Sequence, residues 1–380
     1  MSQQEEGAGA GLASRPAASK EAGLVLDLTR QALKAATLPE AVAPTLQTLV
    51  ELTSAVGAAY FQLDSGSLRY YARVASGQMP DNDRMQAISV HGLPSETPLL
   101  QALSGTSGPI YIPDTTLVPE AAGFPELGVC SVAAAPVRTQ GGLLVGAYLM
   151  HTFQPHEWQP HEIELFGLVA STLATVTARM LAEEQLWAAQ EASVRALGLA
   201  LELRDDETKG HTDRVTQLAL EIGAALGLSP EQRQALRWGA SLHDIGKLAV
   251  PDQVLLKSGP LDALEWQLMQ QHVQAGERFA RALPFLPEEA RAVIVSHHER
   301  WDGSGYPVGL SGEQIPLLAR VFAVCDVYDA LTSERPYKTA WSAEEALQEV
   351  VRQAGQHFDP QVVAAFLKVM DQHLQIQRGA

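Results

Sequence analysis

His297-His298-Glu299-Arg300-Trp301-Asp302-Gly303-Ser304-Gly305-Tyr306-Pro307 joins two adjacent imidazoles to a glycine-rich turn closed by Tyr-Pro. Working back from it in the same half, His243-Asp244-Ile245-Gly246-Lys247 adds a His-Asp pair. Leu236, Gly239, Ala240 and His243 fall at i, i+3, i+4 and i+7, which predicts a helix with His243 on its inward face and Asp244 beside it. Leu264, Leu268 and His272 repeat the arrangement, and Ala319, Phe322, Ala323 and Asp326 do so with a carboxylate. A lone inward histidine is more often a satisfied core residue. An aspartate on an apolar stripe is costly unless a cation or hydrogen bonds stabilise it. Taken together, His243, Asp244, His272, His297, His298 and Asp326 supply imidazoles and carboxylates in the mixture that suits Fe or Mn. The two cysteines, Cys130 and Cys325, cannot build a thiolate zinc site or a secreted-type disulfide framework.

At 380 residues the chain has room for about two or three domains. Apolar residues at 46% and charged residues at 19% describe a globular protein. The longest apolar candidate, Leu165 to Ala178, carries Gly, Ser and Thr and reads as part of an amphipathic helix, so no membrane association is expected. No basic flank precedes an apolar core at the N-terminus, and a cytoplasmic location is expected. A formal net charge of −17 argues against binding long nucleic acid or an anionic membrane, but not against a small phosphorylated ligand held by placed cations.

The organisation predicts a multidomain chain. Residues 1–20 are small and polar and read as a disordered tail. Over 21–157, helical stretches (Leu24 to Ala35, Pro39 to Val56) lead into β-rich runs at Ala58 to Leu63, Leu68 to Ala75, Pro109 to Ile112, Cys130 to Arg138 and Gly142 to Met150. This is an α+β domain with an antiparallel sheet and flanking helices. Residues 158–190 predict a long connecting helix. Ile163, Phe166, Val169, Leu173, Val176 and Met180 form a seam along it, either packed on its own domain or, as the favoured expectation, pairing two copies in a homodimer. A helix from Pro160 to Arg204 would span roughly 65 Å at ~1.5 Å per residue. Residues 191–380 read as all-α, with a helix start at Ser229-Pro230-Glu231-Gln232. Glu207 and His211 are four apart and share a face if helical, although Gly210 makes a turn equally consistent, with a helix starting near Thr212.

From about Ala192 to Leu367 the chain resembles the HD-GYP family, metal-dependent phosphodiesterases that open cyclic di-GMP. The elements carrying the likeness are Gly210-His211, His243-Asp244-Ile245-Gly246-Lys247, His272, the block His297 to Pro307, and Asp326-Val327-Tyr328-Asp329-Ala330-Leu331-Thr332-Ser333 followed by Arg335-Pro336-Tyr337-Lys338. The resemblance implies an HD-type helical domain in which His243, Asp244, His272, His297, His298 and Asp326 hold the metals, with Asp244 bridging two of them. His211 and Glu207 match positions that complete a third site in some members, so two or three divalent ions are expected. Paired cations activate water as hydroxide for in-line attack on phosphorus, giving pGpG, GMP or both. Lys247 would meet a phosphate oxygen or the leaving 3′ oxygen, and Asp205 would orient water or relay a proton. Arg335 and Lys338 match phosphate-binding positions, with charge and reach that suit the role. Gly303 and Gly305 allow tight backbone near a ligand. Tyr306 offers an aromatic face to guanine, while Trp301 fits buried packing at least as well.

The N-terminal half resembles a GAF domain through strand order and through the closing runs Leu143 to Met150 and His156 to Leu168. That likeness leaves open an unidentified small ligand, or dimerisation alone, and regulation of the second domain. Cys130 reads as a small strand residue rather than a pigment attachment point, and Cys325 as packing. Two other function classes stand beside the hydrolase. One is a receptor that binds cyclic di-GMP without cleaving it; the other is an HD-type nucleotide phosphohydrolase of different specificity, which leaves His297 to Pro307 unexplained.

Overall fold

A computed structural model of the chain describes residues 15–204, 210–334 and 339–379. It divides into two units, one up to Leu186 and one from Trp187.

The first unit opens with α1 (Arg15–Lys34) and α2 (Leu38–Leu52). Helix α1 begins inside the stretch expected to be a tail, and the run Ala17-Ala18-Ser19-Lys20-Glu21-Ala22 is rich in strong helix formers. Thr37 caps α2 by accepting from the Glu40 N–H, with proline in the first turn. The chain then builds β1 (Gly57–Asp64), β2 (Arg69–Gly77), α3 (Asp83–His91), β3 (Leu93–Pro94), α4 (Pro98–Gly105), β4 (Ile110–Ile112), β5 (Ser131–Arg138) and β6 (Leu144–Thr152). The strands form one antiparallel sheet in the order β3-β2-β1-β6-β5-β4. The turn joining β1 to β2 is set by Asp64, whose Oδ2 accepts from the Ser67 N–H at 2.8 Å.

Both faces of this sheet are covered, so β6 is buried at every position rather than alternating. Tyr148 and Met150 face a core with Leu46 and Leu49 of α2, whereas Ala147 and Leu149 face a second core with Leu99, Leu100 and Leu103 of α4. Helices α3 and α4 were not anticipated; α3 buries none of its side chains and so carries no apolar stripe to read.

Helix α5 (Pro160–Glu202) continues beyond the expected connector, and the boundary between units falls within it. Its Phe166, Val169, Leu173 and Val176 are buried in the first unit's own core. The favoured expectation that this seam pairs two copies is therefore corrected: the apolar stripe is consumed by packing on the sheet, and Ile163, at 39% exposure, lies off it. By length and composition alone α5 passes as a membrane span, with a window of mean hydropathy 1.5 that is 39% buried.

The second unit is helical: α6 (His211–Ala225), α7 (Pro230–Leu242), α8 (Asp252–Leu255), α9 (Ala263–Gln270), α10 (His272–Arg281), α11 (Glu288–Ser296), α12 (Leu317–Thr332), α13 (Ala343–Arg352) and α14 (Pro360–Gly379). Ser229 and Gln232 close a reciprocal capping box on α7 as the sequence predicts. Leu236, Val293, Phe322 and Phe366 from α7, α11, α12 and α14 meet in one core. Leu264 and Leu268 do not face it; they are 72% and 39% exposed. The helical run breaks at Gln271, and His272 opens α10 as a buried residue, so the α9 stripe does not determine where His272 points.

Candidate metal centre

Helix ends deliver most of the centre. His243 caps the C-terminus of α7, Asp244 starts the tight turn Ile245–Ala249, His272 and His211 are the first residues of α10 and α6, and His297 ends α11 with His298 following. Asp326 comes from the middle of α12. The turn after Asp244 lies against α10 so tightly that a Cβ on Gly246 would come 1.8 Å from the His272 carbonyl oxygen. Only glycine permits that approach, which brings Asp244 to His272.

The residues gather into two groups in which the donor atoms all lie within 4.8 Å of one another: Asp244, His272, His297 and His298 in the first, and His211, His243 and Asp326 in the second. Asp244 faces both. Its Oδ1 is 3.3 Å from His272 Nε2 and 3.6 Å from His297 Nε2, while its Oδ2 is 3.1 Å from His243 Nε2 and 2.6 Å from Lys247 Nζ. His211 Nε2 stands 3.4 Å from Asp326 Oδ1.

Ring orientation is fixed from behind. His243, His272 and His297 each direct Nδ1 to a main-chain carbonyl, of Ala240 at 2.8 Å, Met269 at 2.6 Å and Ile294 at 3.0 Å. Donation from Nδ1 leaves Nε2 as the lone-pair nitrogen facing the centre. His211 differs, pairing Nδ1 with Asp329 Oδ2 at 2.7 Å. Arg214 holds that carboxylate through Nε at 2.6 Å and Nη2 at 2.9 Å.

The donor set fits a divalent cation. Asp244 Oδ1, His272 Nε2 and His297 Nε2 are buried without a hydrogen bond, an expensive arrangement for polar atoms unless something accepts their lone pairs. Burial pushes His272 down to about 4, the nearby Asp244 only partly opposing, and burial together with His297 pushes His298 well below its ordinary value. Both rings are thus neutral, the form that ligates. Burial alone would raise Asp244, but the Lys247 ammonium and His243 hold it well below the usual carboxylate range.

The loop that follows His298 is held by a residue that sequence reasoning passed over. Glu299 is buried and accepts from the main-chain N–H groups of Val308 at 2.8 Å, Gly309 at 3.0 Å and Leu310 at 3.0 Å. Gly305 passes so close to the preceding turn that a Cβ there would meet the Arg300 nitrogen at 2.4 Å. The Tyr306 ring stacks on His298 and meets Trp266 edge-on. Burial raises the Tyr306 hydroxyl, Asp244 and Asp326 adding to the shift and the Lys247 ammonium opposing it. Trp301 is not stacked on a ring; the Arg320 guanidinium lies over it. Asp205, Glu207, Arg335 and Lys338 lie outside the described residues. Asp329, Arg214 and Glu299 were missed; the one available signal was the second aspartate, three residues after Asp326 on the same helix face.

Residues 195–362 match the HD domain family and residues 37–176 the GAF domain family. Over 182 residues the chain is 40% identical to 3′3′-cGAMP-specific phosphodiesterase 2 of Vibrio cholerae, covering 48% of this chain and 35% of that protein. It is 44% identical over 173 residues to the cyclic di-GMP phosphodiesterase response regulator RpfG of Xanthomonas campestris, covering 45% of this chain and 46% of that one. A cyclic di-GMP phosphodiesterase of Thermotoga maritima is 41% identical over 174 residues, covering 46% and 47%. The chain thus spans between about a third and a half of the length of these relatives.

A GAF domain followed by an HD domain is the class that fold and matches define. With the block His297 to Pro307 set against the His-Asp centre, residues 195–362 form an HD domain similar to that of cyclic di-GMP phosphodiesterases, with a GAF domain on its N-terminal side.

Proposed function

We propose that the protein is a metal-dependent phosphodiesterase that opens the 3′,5′-phosphodiester of cyclic di-GMP, giving pGpG, GMP or both. The observation that carries this is the sharing of Asp244 between two donor groups, with the Tyr306 loop folded against one of them. His272, His297 and His298 with Asp244 would hold one cation, and His211, His243 and Asp326 with Asp244 a second, Fe or Mn by the donor types. Glu207 is proposed to add a third site with His211. When bound, such ions ionise water near neutral pH and neutralise charge around phosphorus.

The chain's own groups do the rest. Lys247, 2.6 Å from Asp244, keeps a positive charge at the rim of the centre, where it meets a phosphate oxygen or the departing 3′ oxygen. Tyr306 and Gly305 shape the base side. Asp205 is proposed to orient water, and Arg335 and Lys338 to grip phosphate. We further propose a cytoplasmic enzyme regulated by its GAF domain, through an unidentified ligand or through dimerisation.

A second substrate is favoured by one observation: a relative 40% identical over 182 residues is specific for 3′3′-cGAMP. Protein purified without oxygen and loaded with Fe or Mn is incubated with each dinucleotide and the products are separated by chromatography. Linear pGpG or GMP is expected. Tight binding with full metal occupancy and no product would instead make the protein a receptor, and cleavage of mononucleotides alone would make it a nucleotidase of other specificity.

A further inference from the structure

Along β6, Ala147 and Leu149 face the core shared with α4, and the period of two puts His151 next on that face. His151 is 5% exposed. Its ring stands where a larger residue at Gly57 would intrude, since a Cβ there would come 2.7 Å from His151 Cε1. Burial pushes the ring down to about 4, a hydrogen bond to the Gln78 main chain opposing only in part, so the imidazole is neutral. With a ring proton directed at the Gln78 carbonyl, Nε2 keeps its lone pair as an acceptor. That nitrogen is buried with no hydrogen-bond partner, a costly state that a donor would relieve.

His151 lines a cavity of about 480 Å³ between this face of the sheet and α3, inside the range of roughly 300–1,000 Å³ that small-molecule sites occupy. Phe61 and Leu149 of the sheet, Met85 and Ile88 of α3, and Phe124 give it an apolar interior. Helix α3 buries none of its own side chains, so the apolar side it turns to the sheet is left for an occupant to complete. Arg84 is the one charged side chain in the lining among the described residues. It is 63% exposed and faces Glu126 at 3.9 Å, which keeps the guanidinium at the mouth. The Thr97 hydroxyl is taken up by the Pro94 carbonyl at 2.7 Å. A phosphate or carboxylate inside would therefore lose its water without gaining a cation, whereas a neutral donor inside finds His151 Nε2.

We propose that this cavity takes an uncharged, largely apolar molecule, of the chemistry of a phenol or a fused-ring alcohol, whose single O–H or N–H donates to His151 Nε2. Nucleotides and other phosphate-bearing molecules are not its occupants. The inference names the ligand class for the GAF control proposed above and rests on that reading for its regulatory meaning. The test uses the full-length, metal-loaded protein with three molecules of similar shape, naphthol, its methyl ether and naphthoate, and with cyclic GMP as the phosphate-bearing comparison. Dissociation constants are measured by titration calorimetry in the unaltered chain, in His151→Leu and in Ala59→Leu, and Tm is recorded for each. Naphthol is expected to bind the unaltered chain about 5- to 10-fold more tightly than the ether, the size of one neutral hydrogen bond, while naphthoate and cyclic GMP do not bind at the same concentrations. His151→Leu should erase the difference between naphthol and the ether but still bind both. Ala59→Leu, which fills the cavity from the sheet, should bind neither, with Tm unchanged or raised; if it folds poorly, the ratio in His151→Leu still decides. Equal affinity for naphthol and the ether in the unaltered chain, a preference that survives in His151→Leu, tighter binding of naphthoate or cyclic GMP, or no binding at all overturns the inference. Hydrolysis of cyclic di-GMP with and without naphthol is read separately: donor-dependent binding with unchanged turnover keeps the ligand class and removes ligand control from the proposed function.

Discussion

The Tyr306 ring lies on the His298 ring with centroids 4.6 Å apart and planes 27° from parallel. A residue of the glycine-rich block thus backs a histidine of the same block, so the loop buttresses a ligand candidate. Ring pairs of this kind contribute about 0.5–1.5 kcal/mol beyond burial. Tyr306→Phe keeps the stack and should retain metal binding, whereas Tyr306→Ala should weaken it by about 2- to 10-fold. Metal titration of the two variants checks this; equal affinity in both would separate the tyrosine from the centre.

Asp329 acts on the centre through His211. Carboxylates that hold the far nitrogen of a ligating histidine typically account for about 10- to 100-fold in metal affinity or activity. Asp329 is also gripped by Arg214, and though burial alone would raise its carboxyl, the His211 and Arg214 hydrogen bonds hold it far below the usual range. Asp329→Asn is expected to weaken metal at the His211, His243 and Asp326 group by a factor in that range. Stoichiometry by elemental analysis after graded chelation reads the loss, and an unchanged chelation profile would contradict it.

Glu299 puts one buried carboxylate against three consecutive main-chain N–H groups. Hydrogen bonds to a charged group contribute about 1.5–3 kcal/mol. Glu299→Gln keeps the shape but turns an amide donor towards those N–H groups, so a loss of about 2 kcal/mol is expected from the HD domain. Urea denaturation should show an earlier midpoint with little change in slope, and KM should rise as the Gly305–Tyr306 turn loosens.

The sheet was legible because its strands announce themselves by β-branched and small apolar runs between Gly, Pro and Asp turns, as at Asp64 to Ser67. Two-residue β3 and the stripe-less α3 had no such signature. Within the centre, His243 and Asp326 could be assigned to inward helix faces by spacing alone. His272 could not be placed from Leu264 and Leu268, because the break at Gln271 disconnects the exposed face of α9 from the buried start of α10. The supports were harder still. The bond between His211 and Asp329 joins residues 118 apart, and no local period encodes such a pair.

Acid should weaken the GAF domain in two stages. Burial pushes His151 down to about 4, so below about 6.5 the unfolded chain binds a proton that the folded domain resists; stability is complete above that pH and falls as pH drops towards 4. Glu162 follows. Burial would raise its carboxyl, but hydrogen bonds from the Gln159 N–H, His156 and the Ser54 N–H hold it at about 2. Its contribution is present above about 4.5 and is lost as pH falls towards 2. Calorimetry of the full chain should show the GAF transition moving down through both windows. Glu162→Gln should flatten the lower one and cost on the order of 2 kcal/mol at neutral pH; a lower window that persists in the variant would assign it to another group.

Leu173→Glu distinguishes the two uses of the α5 seam. Leu173 is 2% exposed within the core shared by α2, α5 and the sheet. A carboxylate there faces no cation, and burying an unpaired charge in an apolar core costs several kcal/mol. The expected outcome is early unfolding of the GAF domain at neutral pH, seen as a lost calorimetric transition, while the HD domain keeps its metal because its core is built from other residues. A variant that stayed folded and changed only from dimer to monomer by light scattering would return the seam to the interface. Leu168, 47% exposed on the same helix, supplies the control: Leu168→Glu should leave the GAF transition in place, and if α5 does pair in solution, the change in mass should appear there instead.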